Sequence, residues 1–529
     1  MSKFLLRSVA AAALIVFAAP SWAQNFSADV LSQNIRTISA DDFEGRYPGT
    51  EGERKTLEWL QAQYEAMGLE PGAPDGQWLQ RVDLQTLSAN SQNTALVRIG
   101  GADAITVGTA DGLVLRAMNE AGTADVDNLP LVFAGYGISA PERGWDDYGD
   151  ADLTGKIVVV VNGSPSFGSP YRTFFAQDDY KADEAFRRGA KGLIIIAKTN
   201  AERSLGGRQR TIRLSPGTPE LAVRGWMTPE LAQGWGISAD DLEHLDDAAA
   251  TVRDLGVTLS TTIREEVSTL TTYNLIARLT GTEFPDETVI FSAHWDHVGV
   301  DSDHAVGEDN IFNGMWDNAS GTVGVVEMAK QFADNGPSKR TVIFLHATAE
   351  EMGLLGTYAY TANPVYPLET TVADINIDML PLSGPTRDVP IFGYGQNTLE
   401  DMLDVLAKAE GRYVSDDGQP EQGFYYRSDH FPFARAGVPA LMPWHGVDWI
   451  DGGIEAGKAA WHARFGRVYH KPSDEWSEDL DFTSAVENLT LIYRLGRELA
   501  DSRVWPEWKS TSEFGQVRAR SDAARADRR

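Results

Sequence analysis

The chain has 529 residues, more than one ordinary domain, which leaves room for two or three hydrophobic cores. Its 76 acidic against 46 basic side chains give a formal charge of -30, which disfavours nucleic acid and anionic membranes, because both are held by basic patches. There is no cysteine, which excludes disulfides, a lipid-anchored cysteine and a thiol nucleophile.

Residues 1–23 have the pattern of a cleavable secretory signal. Lys3 and Arg7 form a basic start, 9–20 is apolar, and Ser21-Trp22-Ala23 ends in a small residue before Gln24. The apolar stretch is shorter than the roughly 20 residues that a membrane-spanning helix needs. Its removal takes two basic side chains and shifts the formal charge from -30 to -32. The expected address is periplasmic or secreted, with no membrane attachment afterwards.

A turn-rich loop at 45–52 precedes a helix with Leu57, Leu60, Tyr64 and Met67 on one face and Gly68 as its stop. Short strands and glycine-rich turns follow over 87–115. Strong strand signals at 129–138 and 155–161 flank a polar loop, and a helix near 180–188 leads to a further apolar strand at 192–196. With the strand at 257–263, residues 127–264 form a small α/β module of their own. From 272 onward the pattern alternates: strands at 274–279, 288–291, 341–345 and 373–377, a helix that Ser320 can cap running to 333, and helices at 399–409 and 484–500. Alternating strands and helices imply an α/β sheet covered on both faces, whose ligands collect at the carboxyl ends of the strands. Residues 506–529 read as a disordered tail, since 518–529 carries five Arg and no large apolar side chain.

Five segments concentrate chemistry: His294-Trp295-Asp296-His297, Trp316-Asp317-Asn318, Glu350-Glu351, Asp378 and His470. Most directly follow apolar runs that read as buried strands, and buried carboxylates are costly unless paired or bound to metal. The pattern points to a metal-dependent hydrolase. Zinc accepts imidazole nitrogen and carboxylate oxygen and, in a catalytic site, keeps one position for water. Two zinc ions about 3.5–4 Å apart can share one carboxylate. Such a pair needs about five protein ligands and one free carboxylate as general base. His294, Asp317, Glu351, Asp378 and His470 supply the first, and Glu350 remains for the second. Adjacent Glu350 and Glu351 point in different directions in extended backbone. Asp296, two residues from His294, is placed to accept the other imidazole N–H and fix its tautomer.

These segments lie in SAHWDHVG (292–299), GMWDNASGT (314–322), ATAEEMGLLGT (347–357), INIDM (375–379), RSDHFPFARAGVPA (427–440) and YHKPSDEW (469–476). The set resembles the M28 zinc peptidases, a group that includes bacterial aminopeptidases, and the opening GRYPGTEGE resembles that family's first segment. The likeness covers nearly all of the mature chain. It implies a three-layer α/β/α peptidase domain with a mixed central sheet, built from 24–126 and 265–505. It also implies Asp317 shared by two zinc ions, Glu351 and His470 on one, and His294 and Asp378 on the other. Glu350 is then the general base, and Asp296 orients His294. FAGYGI, GWDDYGDADLTGKIVVVVNG and RRGAKGLIII make 127–264 resemble an inserted protease-associated (PA) domain. Met315-Trp316 departs from the small or polar residues that many relatives have before the shared aspartate.

The expected activity is a dizinc aminopeptidase acting on peptides. Alternatives are a carboxypeptidase or dipeptidase, a glutaminyl cyclase-like acyl transferase on one zinc, and a metal-free binding module. Acids beside the metals would hold a free amine, whereas Arg427 would favour a carboxylate. Tyr425, Tyr426 and His430 are candidate donors to a developing oxyanion. His297 reads as structural or pocket-lining and His346 as a core histidine; His304, His445 and His462 are unassigned. Ser428-Asp429-His430 is no triad, because three adjacent residues cannot converge and no G-x-S-x-G elbow is present. Phe392-Gly393-Tyr394-Gly395 is a turn, and Trp444, Trp449, Trp461 and Phe465 line a specificity pocket or pack a core.

Overall fold

The computed structural model describes residues 26–89, 93–168, 170, 172–198, 205–206, 210–217, 221–303 and 307–527. The signal-like residues 1–23, and His304, lie outside them.

The first sheet follows from the alternating segments after residue 265. Its strand order is Arg210–Leu214, Leu79–Ser88, Glu266–Leu279, Arg340–Ala347, Phe284–His294, Thr371–Asn376 and Ala440–Leu441, with Glu70–Pro71 joining Glu266–Leu279 from the side. The last four strands of that series are parallel, and the others pair antiparallel. A parallel group is buried on both faces, which is why its strands read as continuous Val, Ile and Phe runs. Phe291 lies opposite Phe344 in register, and on their face pack Phe332 and Tyr493, from helices Gly321–Asp334 and Thr483–Asp501. Strand alternation turns Ser292, Asp374 and Asn376 to the opposite face, toward Ser428 and helix His430–Arg435. The parallel strands end at one edge of the sheet, so His294, the Ala347 to Glu351 turn and Asp378 emerge side by side.

The second sheet has strand order Ile105–Val107, Ala95–Ile99, Arg253–Arg264, Thr123–Phe133, Ile157–Val161, Gly192–Ile196, Val223–Met227 and Leu113–Ala117. Ile157, Val159 and Val161 fill one core and Val158 and Val160 another, one on each face. This module differs from the span 127–264. Its strands begin at Ala95, and Arg210–Leu214 leaves it to pair with Leu79–Ser88 in the first sheet. Residue pattern marks a strand but not the sheet it joins. Arg116 ties the two sheets: it pairs with Glu265 at 2.6 Å, both side chains fully buried, and donates to the Leu87 carbonyl.

Two further expectations need correction. Residues 506–529 are not a disordered tail. Helix Gly515–Asp527 docks there through the buried Phe514 and through Arg518, which donates to the carbonyls of Leu368 and Thr371. The anchor is a buried guanidinium, which composition scores as polar. Ser320 does not cap Gly321–Asp334: its backbone is already helical, and its hydroxyl donates to the Trp316 carbonyl.

Candidate metal centre

The five segments converge at the edge where the parallel strands end. His294 is the last residue of its strand, and its carbonyl accepts from Thr322 Oγ1 at 2.6 Å. Asp317 sits in an irregular turn, Met315–Ser320, before helix Gly321–Asp334, and the Asp317–Asn318 peptide is cis. That turn needs Gly314: at φ +53°, an added Cβ would lie 2.3 Å from the Asp317 carbonyl oxygen and 2.5 Å from the His297 ring. Asn318 ties the turn to the neighbouring loop, accepting from the main-chain N–H of Gly321 and Met379 and donating to the Ile377 carbonyl.

All five sequence-predicted ligands come together. His294 Nε2 lies 3.4 Å from Asp317 Oδ1 and 3.4 Å from Asp378 Oδ1. His470 Nε2 lies 3.1 Å from Asp317 Oδ2 and 3.1 Å from Glu351 Oε2. The two oxygens of Asp317 therefore face two different imidazoles. Ser428 donates to Asp378 Oδ2 at 2.7 Å, which leaves the buried Oδ1 without a hydrogen bond and turned toward His294. His294, Asp317 and Asp378 make one donor group able to hold a cation, and His297, Asp317 and Glu351 make another.

Electrostatics agree with that fit. Desolvation opposes ionisation of Asp317, but hydrogen bonds from His294 and His470 hold its carboxyl well below the usual range. Desolvation would lower His470, yet Asp317 and Glu351 push it up to about 10. Burial likewise opposes charge on His294, and the Glu350 and Asp378 carboxylates carry it well above its ordinary value. The imidazoles serve as counter-charges to a surplus of acid, which is the role a divalent cation fills in a site of this donor chemistry.

Glu350 belongs to neither donor group. Its Oε2 is 3.9 Å from His294 Nε2, and burial, with the Glu351 and Asp378 charges beside it, raises its carboxyl well above the usual value. Asp296 acts differently from expectation. His294 Nδ1 donates to the Asp296 main-chain carbonyl at 3.1 Å, and the carboxylate stands off at 3.8 Å. That carboxylate instead accepts the Glu350 N–H at 3.1 Å, so Asp296 positions both residues. The chain bends after His294, which brings the carbonyl rather than the side chain to the ring.

His297 donates to Glu351 Oε1 at 2.6 Å. His346 is buried and hydrogen-bonded to Tyr64. Ser428 and Asp429 bond to Asp378 and Thr357 and not to His430, so these three form no triad. Tyr425, Tyr426 and His430 are buried and do not line the cleft; Ser428 and Tyr469 do, and the Tyr469 ring stacks on His470 at 3.9 Å. Asp317, Glu350 and Asp378 form the polar floor of the cleft, and Met379, Phe392, Phe424, Met442, Trp444 and Phe465 its apolar wall. Arg427 also lines it, 3.3 Å from the Tyr469 hydroxyl. Trp449 and Trp461 line a different cavity.

Sequence reasoning missed two supports. Asp474, fully buried, accepts the main-chain N–H of Trp316 and Asp317. Arg46, also fully buried, donates to the carbonyls of Ile38, Trp295, Asn313 and Gly314. Asp474 shares a motif with His470, a usable signal; Arg46 lies in a turn-rich loop whose residue types gave none.

Residues 274–494 match Peptidase family M28, and residues 113–219 match the PA domain. Leucine aminopeptidase 2 of Arthroderma otae is 26% identical over 401 residues, 74% of this chain and 67% of that protein. Leupeptin-inactivating enzyme 1 of Streptomyces exfoliatus is 29% identical over 214 residues, 39% of this chain and 43% of that protein. Among solved structures, the aminopeptidase from Aneurinibacillus sp. strain AM-1 aligns with a TM-score of 0.47 at 19% identity, covering 92% of this chain and 95% of that one. Residues 274–494 are thus a match to peptidase family M28 that shares its polypeptide with a PA-domain match at 113–219.

Proposed function

We propose that this chain is a secreted exopeptidase that releases N-terminal residues from peptides with two zinc ions. His294 and Asp378 would hold one ion, Glu351 and His470 the other, and Asp317 both. The observation that carries the reading is the placement of the two Asp317 oxygens, 3.4 and 3.1 Å from different imidazoles. A zinc pair, when bound, lowers the pKa of a shared water and polarises the scissile carbonyl.

Glu350, on the polar floor of the cleft and outside both donor groups, takes the proton of the attacking water at its side-chain oxygen and passes it to the leaving amine. The Tyr469 hydroxyl, kept protonated by burial, donates to the carbonyl oxygen as negative charge develops. The apolar wall takes the first side chain. The likeness to Leucine aminopeptidase 2 supports the same reading. The secreted address rests on the basic, apolar and small-residue pattern of 1–23. Among the described residues no helix is long and apolar enough to cross a membrane.

Arg427 in the cleft favours a second reading, a carboxypeptidase or dipeptidase that holds a terminal carboxylate. Metal analysis with aminoacyl-nitroanilides and N-blocked peptides separates the two. The aminopeptidase reading expects two zinc ions per chain and chelator-sensitive release only from free amines. Cleavage of the blocked peptides would replace it with the carboxypeptidase reading. A single tight zinc would favour the cyclase-like one, and chelator-indifferent behaviour a binding module.

A further inference from the structure

A cavity of about 430 Å³ lies apart from the metal cleft, under helix Gly453–Val468. Trp316, Trp449 and Trp461 give it aromatic walls, Arg464 and Arg467 enter it from the helix, and no acidic side chain lines it. Arg464 stands over the Trp316 ring, 5.7 Å from its centre. Among the described residues neither guanidinium makes an ion pair within 4.0 Å. His445, 7% exposed, also lines the cavity.

That combination selects a ligand. Guanidinium forks match carboxylate geometry, and an aromatic body packs against indole rings. The two guanidinium charges, with no lining acid to offset them, disfavour an ammonium. A cavity of this volume falls in the range that holds small organic molecules, roughly 300–1,000 Å³. We propose that the cavity binds a small aromatic carboxylate without a free amine, its acid group on Arg464 and Arg467 and its ring among Trp316, Trp449 and Trp461. The site does not depend on the metal reading, since its lining shares no residue with the cleft's.

N-acetyl-L-phenylalanine, titrated into the zinc-loaded chain while tryptophan emission is followed, tests this. A saturable change is expected, and it should persist unchanged after chelation. The carboxamide N-acetyl-L-phenylalaninamide should bind about tenfold more weakly, and so should the acid to Arg467→Gln, an exposed position. No saturable change, or equal binding of acid and carboxamide, overturns the proposal. Loss of binding on chelation would put the acid on the metal ligands and overturn it too.

Discussion

Asp474 and Asp317 meet through the main chain rather than side chain to side chain: Asp474 Oδ2 accepts the Asp317 N–H at 3.1 Å. The same carboxylate takes the Trp316 N–H, so one buried acid fixes the backbone on which the shared ligand is mounted. Asp474→Asn removes the charge and one acceptor. Zinc affinity, measured against a competing chelator, should fall about 10- to 100-fold, with far-UV dichroism unchanged. Wild-type affinity would mean the turn needs no such clamp.

Glu350 tests the chemistry separately from the metal. Glu350→Gln keeps the shape and removes the proton acceptor. kcat should drop roughly a hundred- to ten-thousand-fold while zinc content stays that of the parent. Turnover near the parent value would remove Glu350 from the mechanism.

Glu53 predicts a pH dependence of stability remote from the metals. Burial is the main cause that raises its carboxyl from 4.5 to about 7, against bonds from the Gly49 N–H and Thr272 Oγ1. A folded-state value above the unfolded one favours the protonated form. Its stabilising contribution is complete below pH 4.5 and is lost as pH rises through 7. The swing is at most about 3 kcal/mol, at 1.36 kcal/mol per unit. Glu53→Gln keeps both bonds and should flatten the fall in melting temperature between pH 5 and 8. An unaltered slope would assign that fall to other groups.

The C-terminal helix offers a stability test. Arg518→Ala strips the donor from the carbonyls of Leu368 and Thr371, and a lost buried bond to a charged group costs about 1–3 kcal/mol. The urea midpoint should move down accordingly. No movement would mean Gly515–Asp527 contributes nothing to folding.

Much of the site was legible because its ligands follow strands whose apolar runs are unmistakable. His294, Glu351 and Asp378 sit just past segments buried on both faces, and helix Leu399–Ala409 appears where periodicity puts it. What escaped reading was carried by hydrogen bonds with no residue pattern. Arg46, Asp474 and Arg518 all bond to main-chain atoms distant in sequence, and only Asp474, in the motif of His470, has a neighbour that hints at it. The turn that gives His294 a carbonyl instead of the Asp296 carboxylate is likewise a matter of local bending, invisible in the spacing of the two residues. Tyr469 was passed over for Tyr425 and Tyr426 because a motif says which residues are near a site, not which ring faces it.

The return of Arg210–Leu214 from the second sheet to pair with Leu79–Ser88 has a cost for anyone who would trim the molecule. Excising the PA module as a cassette would strip that cover and bare the peptide groups of Leu84 to Ser88. Unprotected rims of this kind recruit other chains. The shortened protein should therefore tend to stick to itself even where its peptidase half folds.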